Sequence, residues 1–159
     1  MKAAAGVRGA AAVGAIVAGV LALSAAAGAG AGGERTCKPT VVNGVTHYCG
    51  PATASLSVFP GVTFRNGACH RQTVGGRSLL SLGIGARSQN AATNNGLRYF
   101  GLTVSGPAAH PTGGGVIAFS GGKRWGGRGI VFRGTANGGS FVARGINGST
   151  GTATGRFHC

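Results

Sequence analysis

The sequence is divided by five Asn-Gly dipeptides, which begin at residues 43, 66, 95, 137 and 147. Asn and Gly both tolerate the positive φ angles that the tight turn of a β-hairpin needs. Between these dipeptides lie short apolar runs rather than segments with a sustained helical period. Repeated hairpin turns without long helical segments predict a chain of antiparallel strands.

The apolar runs alternate as the strands of a half-buried sheet do. Leu80, Leu82 and Ile84 occupy every second position, as do Phe100 and Leu102. Because successive side chains of a strand point to opposite faces, one face of each such strand is apolar. The predicted strands cover residues 40 to 48, 54 to 59, 62 to 65, 68 to 73, 77 to 85, 97 to 104, 116 to 120, 129 to 134, 140 to 146 and 151 to 158. This pattern favours an all-β fold, either an antiparallel β-sandwich or a partly closed barrel.

Residues 1 to 33 differ in composition from the rest of the chain. Lys2 and Arg8 are followed by an uncharged stretch with a Val, Ile and Leu block at 13 to 23, and residues 25 to 33 are Ala and Gly alone. This order is typical of a secretory signal peptide, and the A-x-A form predicts cleavage after Ala29 or Ala31. We therefore expect a signal peptide at 1 to 31 and one secreted β domain at 32 to 159.

Export predicts a secreted or cell-envelope protein. The alternative is an uncleaved anchor, because the uncharged stretch is long enough to span a bilayer. A membrane partner is expected only in that case.

The charge balance excludes several classes of function. The chain has 15 Lys and Arg residues against a single acidic residue, Glu34, which gives a formal net charge of +14. Mechanisms that need two carboxylates, such as most glycoside hydrolysis or aspartic proteolysis, lack the residues they require. Uncompensated positive charge attracts polyanions in a salt-dependent manner. The expected partner is an anionic polysaccharide or envelope polymer, and export makes a specific nucleic acid an unsuitable one.

Four cysteines lie beyond the predicted signal peptide, and an even number in an exported chain favours disulfides. Of the three possible pairings we expect Cys37 with Cys49, because the hairpin over residues 40 to 46 brings them together, and Cys69 with Cys159. A two-residue turn sets Lys38 opposite Cys49, so the first bridge needs a bulge, a longer turn or a diagonal geometry.

A zinc site is the alternative interpretation of these cysteines. His47, His70 and His158 each lie near a cysteine, and zinc accepts both ligand types. The sequence has no C-x-x-C pair, however, and an oxidising compartment consumes thiolates. We expect disulfides, no metal and no cofactor.

Catalytic patterns are also missing from the sequence. A serine triad needs a histidine and a carboxylate, and Glu34 lies at the predicted mature terminus, where it could hardly be buried against a histidine. There is no G-x-S-x-G motif. Residues 75 to 78 (Gly-Gly-Arg-Ser) are similar to the end of a phosphate loop but are predicted to form a hairpin turn. We expect no catalytic residues; the alternative is a small exported hydrolase with a His/Arg site.

The candidate anion-binding residues centre on a segment at 121 to 128, which is predicted to connect two strands. An exposed indole between cations could stack on a ring while the guanidinium groups bind phosphate or carboxylate. The opposing interpretation, which we favour for the indole, has the Trp fold back onto the end of the sheet. The candidates are Lys123, Arg124, Trp125, Arg128, Arg133 and Arg144.

Cys69, residues 79 to 85 (Leu-Leu-Ser-Leu-Gly-Ile-Gly) and residues 151 to 155 (Gly-Thr-Ala-Thr-Gly) before Cys159 form a recognisable order. It resembles the small secreted β domain of the actinobacterial lipoprotein-antigen type. The resemblance covers residues 66 to 159 and supports the bridge between Cys69 and Cys159. It implies an envelope-associated protein without catalytic residues, although the lipidation cysteine of that type is missing here.

The sequence as a whole predicts an exported, non-catalytic, strongly basic β domain that binds anionic envelope or extracellular polymers. A protein-binding envelope antigen is the remaining alternative, and an exposed apolar patch would favour it.

Overall fold

The computed structural model describes residues 37–107, 112–135 and 137–159. They form ten β-strands and one 3-10 helix at Thr93–Gly96. The strands are β1 (Thr40–Val42), β2 (Val45–His47), β3 (Ala52–Leu56), β4 (Thr63–Val74), β5 (Arg77–Ser88), β6 (Tyr99–Pro107), β7 (Gly113–Ser120), β8 (Lys123–Thr135), β9 (Gly138–Gly145) and β10 (Thr152–His158). The predicted signal peptide at residues 1 to 31 lies outside the described residues.

Eight of the strands close into an antiparallel barrel. Each strand from β3 to β9 pairs with the next one along the chain, and β10 pairs back with β3. This is an up-and-down barrel, in which every strand finds hydrogen-bonding partners on both sides. The all-β prediction is confirmed, and of the two predicted architectures the barrel is the one formed, fully rather than partly closed.

The strands β1 and β2 form a hairpin that extends the barrel at the end of β5, where Val45 lies opposite Ser88. Pairing within the hairpin ends where Thr40 faces His47. The Cys37–Cys49 bridge therefore forms between irregular residues beyond the strands, with a Cα to Cα distance of 5.8 Å. The sequence left a bulge, a longer turn or a diagonal geometry open for this bridge, and the structure forms it outside the paired residues of the hairpin.

The second disulfide joins Cys69 of β4 to Cys159, with a Cα to Cα distance of 5.6 Å. Both predicted pairings are confirmed. Because the Cys69–Cys159 loop closes over a sequence separation of 90 residues, the chain-entropy model assigns it roughly 4 to 5 kcal/mol of stabilisation. Two disulfides indicate an oxidising, extracellular environment. Within the described residues, no helix is long and apolar enough to cross a membrane.

The interior of the barrel is filled by the inward side chains of its strands. An eight-stranded barrel is only wide enough to hold side chains, and here many are aromatic or branched. The largest fully buried ones are Phe64, Phe100, Phe141, Leu56, Ile84, Leu102, Ile130 and Val104. The outward-facing residues are therefore the ones available to a ligand.

Two of the Asn-Gly dipeptides do not form the predicted hairpin turns. Asn66 has a φ of 64° and lies inside β4, at a register shift that leaves two residues of β4 opposite one residue of β3. The predicted strands at 62 to 65 and 68 to 73 are thus one bulged strand. The dipeptide at residue 95 lies in the 3-10 helix.

The segment at 121 to 128 differs most from its prediction as a connection. Only Gly121 and Gly122 form the turn, and β8 begins at Lys123. A register shift between Arg128 and Val131 contains Gly129, whose φ of 64° suits a bulge. The extra residue changes the phase of the strand, so Trp125 and Ile130 both face inward although they are an odd number of residues apart.

Candidate anion-binding surface

The alternation along β8 decides where most of the predicted anion-binding residues lie. Lys123 and Trp125 are in the inward phase, whereas Arg124, Arg128 and Arg133 point outward and are exposed. The prediction that residues 121 to 128 connect two strands is wrong for Lys123, Arg124, Trp125 and Arg128, which lie on both faces of one long strand, whereas Arg133 and Arg144 lie in strands as predicted.

Trp125 is only 4% exposed and belongs to the hydrophobic core. Its ring lies against Gly127, where an added methyl group would overlap it. Since the faces of the indole are covered by the protein, the prediction of Trp125 as a residue that stacks on a ligand is wrong. The opposing prediction of burial is correct, although the residue lies within β8 rather than in a loop.

Lys123 contacts the loop between β3 and β4. Its Nζ donates a hydrogen bond of 2.7 Å to the carbonyl oxygen of Val58 and lies 5.5 Å from the ring centroid of Phe59. Phe59 is buried among the core residues, so Lys123 fastens the loop at one end of the barrel. Its ammonium group has a structural partner and is a weaker candidate for an external anion.

Four arginines converge on the outer surface of β8, β9 and β10, and we call this set the arginine face: Arg128, Arg133, Arg144 and Arg156. Their positions follow from the register. Arg133 and Arg156 flank Ser140 on either side. Arg128 lies directly opposite Arg144. Three of the four were predicted from the sequence, and the register brings them together.

Arg156 is the member of the arginine face that was not among the predicted anion-binding residues. The alternation within β10 could have identified it, since Ala153, Gly155 and Phe157 are buried and Thr154 and Arg156 are exposed. What the sequence could not supply is the pairing of β10 with β9, which places Arg156 across Ser140 from Arg133 of β8.

The electrostatics of the arginine face are unbalanced. Like charges directly opposite each other on neighbouring strands are destabilising, and Arg128 and Arg144 form such a pair. The described residues include no carboxylate side chain, because Glu34 is the only acidic residue of the chain and lies outside them. Guanidinium groups bind carboxylate, phosphate and sulfate through paired hydrogen bonds, so an external anion could neutralise this repulsion.

An open cleft of about 720 Å³ lies along one side of the arginine face, and we call it the arginine cleft. Its wall is the loop of residues 57 to 62, and its base is the outer surface of β3, β10, β9 and β8. Arg133 and Arg156 supply positive charge there. The hydroxyl groups come from Ser55, Ser57, Thr63, Ser140 and Thr154.

The outward side chains of Val131 and Val142 lie opposite each other between the two arginine pairs, and they are 55% and 40% exposed. The base of the cleft thus presents cations, hydroxyls and a small apolar strip. Such a mixture suits a ligand that carries acid groups on a partly apolar backbone.

None of the described residues that line the arginine cleft is a histidine. His158 nevertheless lies on the outer face of β10, two residues after Arg156. His70 Nε2 lies 2.9 Å from Nε2 of Gln72. Across the described part of the chain, no group of three or more His, Cys, Asp or Glu residues could hold a metal ion. The fourth histidine, His110, lies outside the described residues.

Comparison of the chain with protein-family models, with curated proteins and with solved structures found no match in any of the three.

Proposed function

We propose that this protein is an exported, non-catalytic binding protein of the cell envelope or extracellular medium, and that it binds an acidic polymer through the arginine face. The observation that carries the proposal is the alignment of four exposed arginines on three adjacent strands, without a carboxylate side chain among the described residues. The two disulfides and the basic, apolar and small-residue order of the first 31 residues support the location.

Several features favour binding over catalysis. The arginine cleft offers guanidinium and hydroxyl groups, which hold anions and sugars but are poor general bases at neutral pH. The cleft is open and lies on the outside of a barrel whose interior is filled, so water has free access to a bound ligand. This arrangement suits a long polymer that passes across the surface.

The test is equilibrium binding of the disulfide-bonded protein to polygalacturonate over a range of salt concentrations, with a neutral glucan in parallel. Because each cation that binds an anionic group contributes about one unit to the slope of log K against log salt, Arg133→Gln with Arg156→Gln should lower the slope by about two. The same double variant should weaken binding by at least about tenfold.

Arg65→Gln with Arg77→Gln is the matched control, since both side chains are exposed and neither lines the arginine cleft. This control removes the same charge and should retain most of the affinity. Equal losses in the two double variants would show that net charge alone binds the polymer. Equal affinity for the neutral glucan, or cleavage of any polymer, would overturn the proposal.

A further inference from the structure

A second cleft, of about 540 Å³, lies on the outer surface of β5, β6 and β7, and we call it the tyrosine groove. Gly83 and Gly101 lie opposite each other in its floor and carry no side chains, which leaves room there for aromatic rings. Tyr48, from the segment after β2, lies against Gly83, and Tyr99 lies against Gly101. A methyl group at either glycine would overlap the tyrosine that covers it.

The tyrosines belong to a row of aromatic rings on the outside of the barrel. Tyr48 and Tyr99 have ring centroids 5.5 Å apart, and Tyr99 and Phe119 have centroids 5.4 Å apart. The guanidinium carbon of Arg87 lies 5.5 Å from the centroid of Tyr99. Tyr99 is 4% exposed, whereas Tyr48 is only half-buried. Tyr48 is therefore the ring that a ligand could contact, and the covered residues hold it in place.

Polar groups continue from the groove toward the arginine face. Ser81 lies opposite Thr103, and both line the groove. The same cross-strand row continues from Thr103 to Gly115, then to Arg128 and to Arg144. Because neighbouring strands are about 4.8 Å apart, Thr103 and Arg128 are separated by roughly 10 Å of surface. At Gly115 no side chain interrupts the path between them.

We propose that the tyrosine groove binds a sugar ring of the same acidic polymer, which is therefore a polysaccharide, while the polymer's acid groups bind Arg128 and Arg144. The inference rests on the proposed function and names its substrate class. The chain of the polysaccharide runs across the strands, from Tyr48 past Thr103 to the arginine pair.

The chemistry of the groove favours a sugar over a nucleobase. An aromatic ring can cover the apolar side of a pyranose, and hydroxyl groups both donate to and accept from sugar hydroxyls. Bases are recognised largely by amide and charged side chains that match their edges. The described residues that line the groove include Ser81, Thr103 and two tyrosines but neither Asn nor Gln, and their one charged side chain, Arg87, has its guanidinium carbon over the ring of Tyr99.

The experiment compares three probes: polygalacturonate, long-chain inorganic polyphosphate and poly(dT). Polyphosphate carries negative charge without rings, and poly(dT) carries bases. Tyr48→Ser and Thr103→Val are the groove variants, and Arg128→Gln is the variant of the arginine face. Thr103→Val keeps the shape of a β-branched side chain, so it tests the groove even where Tyr48→Ser weakens the attachment of the hairpin.

We expect Tyr48→Ser to weaken polygalacturonate binding by about tenfold and Thr103→Val by about threefold, with polyphosphate affinity unchanged. Arg128→Gln should weaken both of these polymers. Should the groove variants bind polygalacturonate as tightly as the wild type while Arg128→Gln does not, the groove inference fails and the proposed function stands. If poly(dT) is the probe most affected by Tyr48→Ser, the groove binds bases and the inference is wrong. Failure of all three probes to bind would overturn the proposed function itself.

Discussion

Replacing one of the two opposed arginines on β8 and β9 should stabilise the free protein but make the ligand-bound protein less stable than the wild type. Arg128 faces Arg144, so their Cβ atoms are about 5 Å apart. With the two charges roughly 7 Å apart in water, the repulsion is about 0.6 kcal/mol, and salt reduces it further. Arg128→Gln removes the repulsion but keeps a long polar side chain. In anion-free buffer of low ionic strength, this variant should be more stable than the wild type by about 0.3 to 0.6 kcal/mol.

A bound polyanion should reverse that order. A ligand that binds only the folded protein stabilises it by about 2.7 kcal/mol at one hundred times its dissociation constant. If Arg128→Gln weakens binding tenfold, the same ligand concentration stabilises the variant by about 1.4 kcal/mol, which is about 1.3 kcal/mol less than it stabilises the wild type. This loss exceeds the relief of repulsion, so the wild type should be the more stable protein when the ligand is present.

Thermal unfolding with and without polygalacturonate measures the stability of the ligand-bound and the ligand-free protein. For a domain of this size, the stability difference in anion-free buffer corresponds to a shift of the midpoint of roughly 1 to 3 °C. Arg77→Gln is the control, because Arg77 faces Val74 and Pro107 rather than another charge. If Arg128→Gln and Arg77→Gln shift the midpoint equally in anion-free buffer, the repulsion is absent. If the ligand stabilises Arg128→Gln as much as the wild type, Arg128 does not bind the polymer.

Two further predictions concern stability. Burial, and then the neighbouring Tyr48, raise the pKa of Tyr99 to about 12. The stabilisation from the neutral phenol is therefore fully present below pH 10 and is lost as the pH rises toward 12. Denaturant unfolding should show the wild type losing up to about 2 kcal/mol of stability relative to Tyr99→Phe across this range, and parallel pH profiles of the two proteins would contradict the prediction. Gly155→Ala should lower the free energy of unfolding by about 1 to 3 kcal/mol, because its methyl group would overlap the ring of the fully buried Phe141. At Gly126 an added methyl group has no atom closer than 3.9 Å, so Gly126→Ala should change stability by less than about 0.5 kcal/mol. Equal losses of stability in the two variants would refute the packing argument.

The fold follows from the sequence wherever local pattern and burial agree. The alternation of Leu80, Leu82 and Ile84 with small or polar residues is reproduced as the inward and outward faces of β5. The Asn43-Gly44 turn and the pairing of Cys37 with Cys49 are equally local. Such features depend on residues close together in the chain, so their spacing is sufficient to predict them.

The remaining features depend on register between distant segments. The closure of β10 on β3 joins residues about a hundred positions apart, and it decides between a sandwich and a barrel. The bulge at Gly129 interrupts the period of two within β8, so the strand was predicted to start too late. Because the arginine face needs β8, β9 and β10 in their observed register, the sequence predicted three of its residues but not their convergence.

The absence of acidic partners is what links the fold to the proposed function. In an ordinary sheet, a Glu or Asp opposite Arg128 would add cross-strand stabilisation, and here that position holds Arg144. The repulsion between Arg128 and Arg144 lowers stability by little compared with what the filled barrel and the disulfide that closes a long loop contribute to it. The fold can therefore tolerate unpaired arginines on its surface. Among the described residues these charges have no carboxylate side chain as a partner, so they are free for the external acid groups of the proposed function, and a closed barrel with a filled interior leaves the outer surface for that proposed binding.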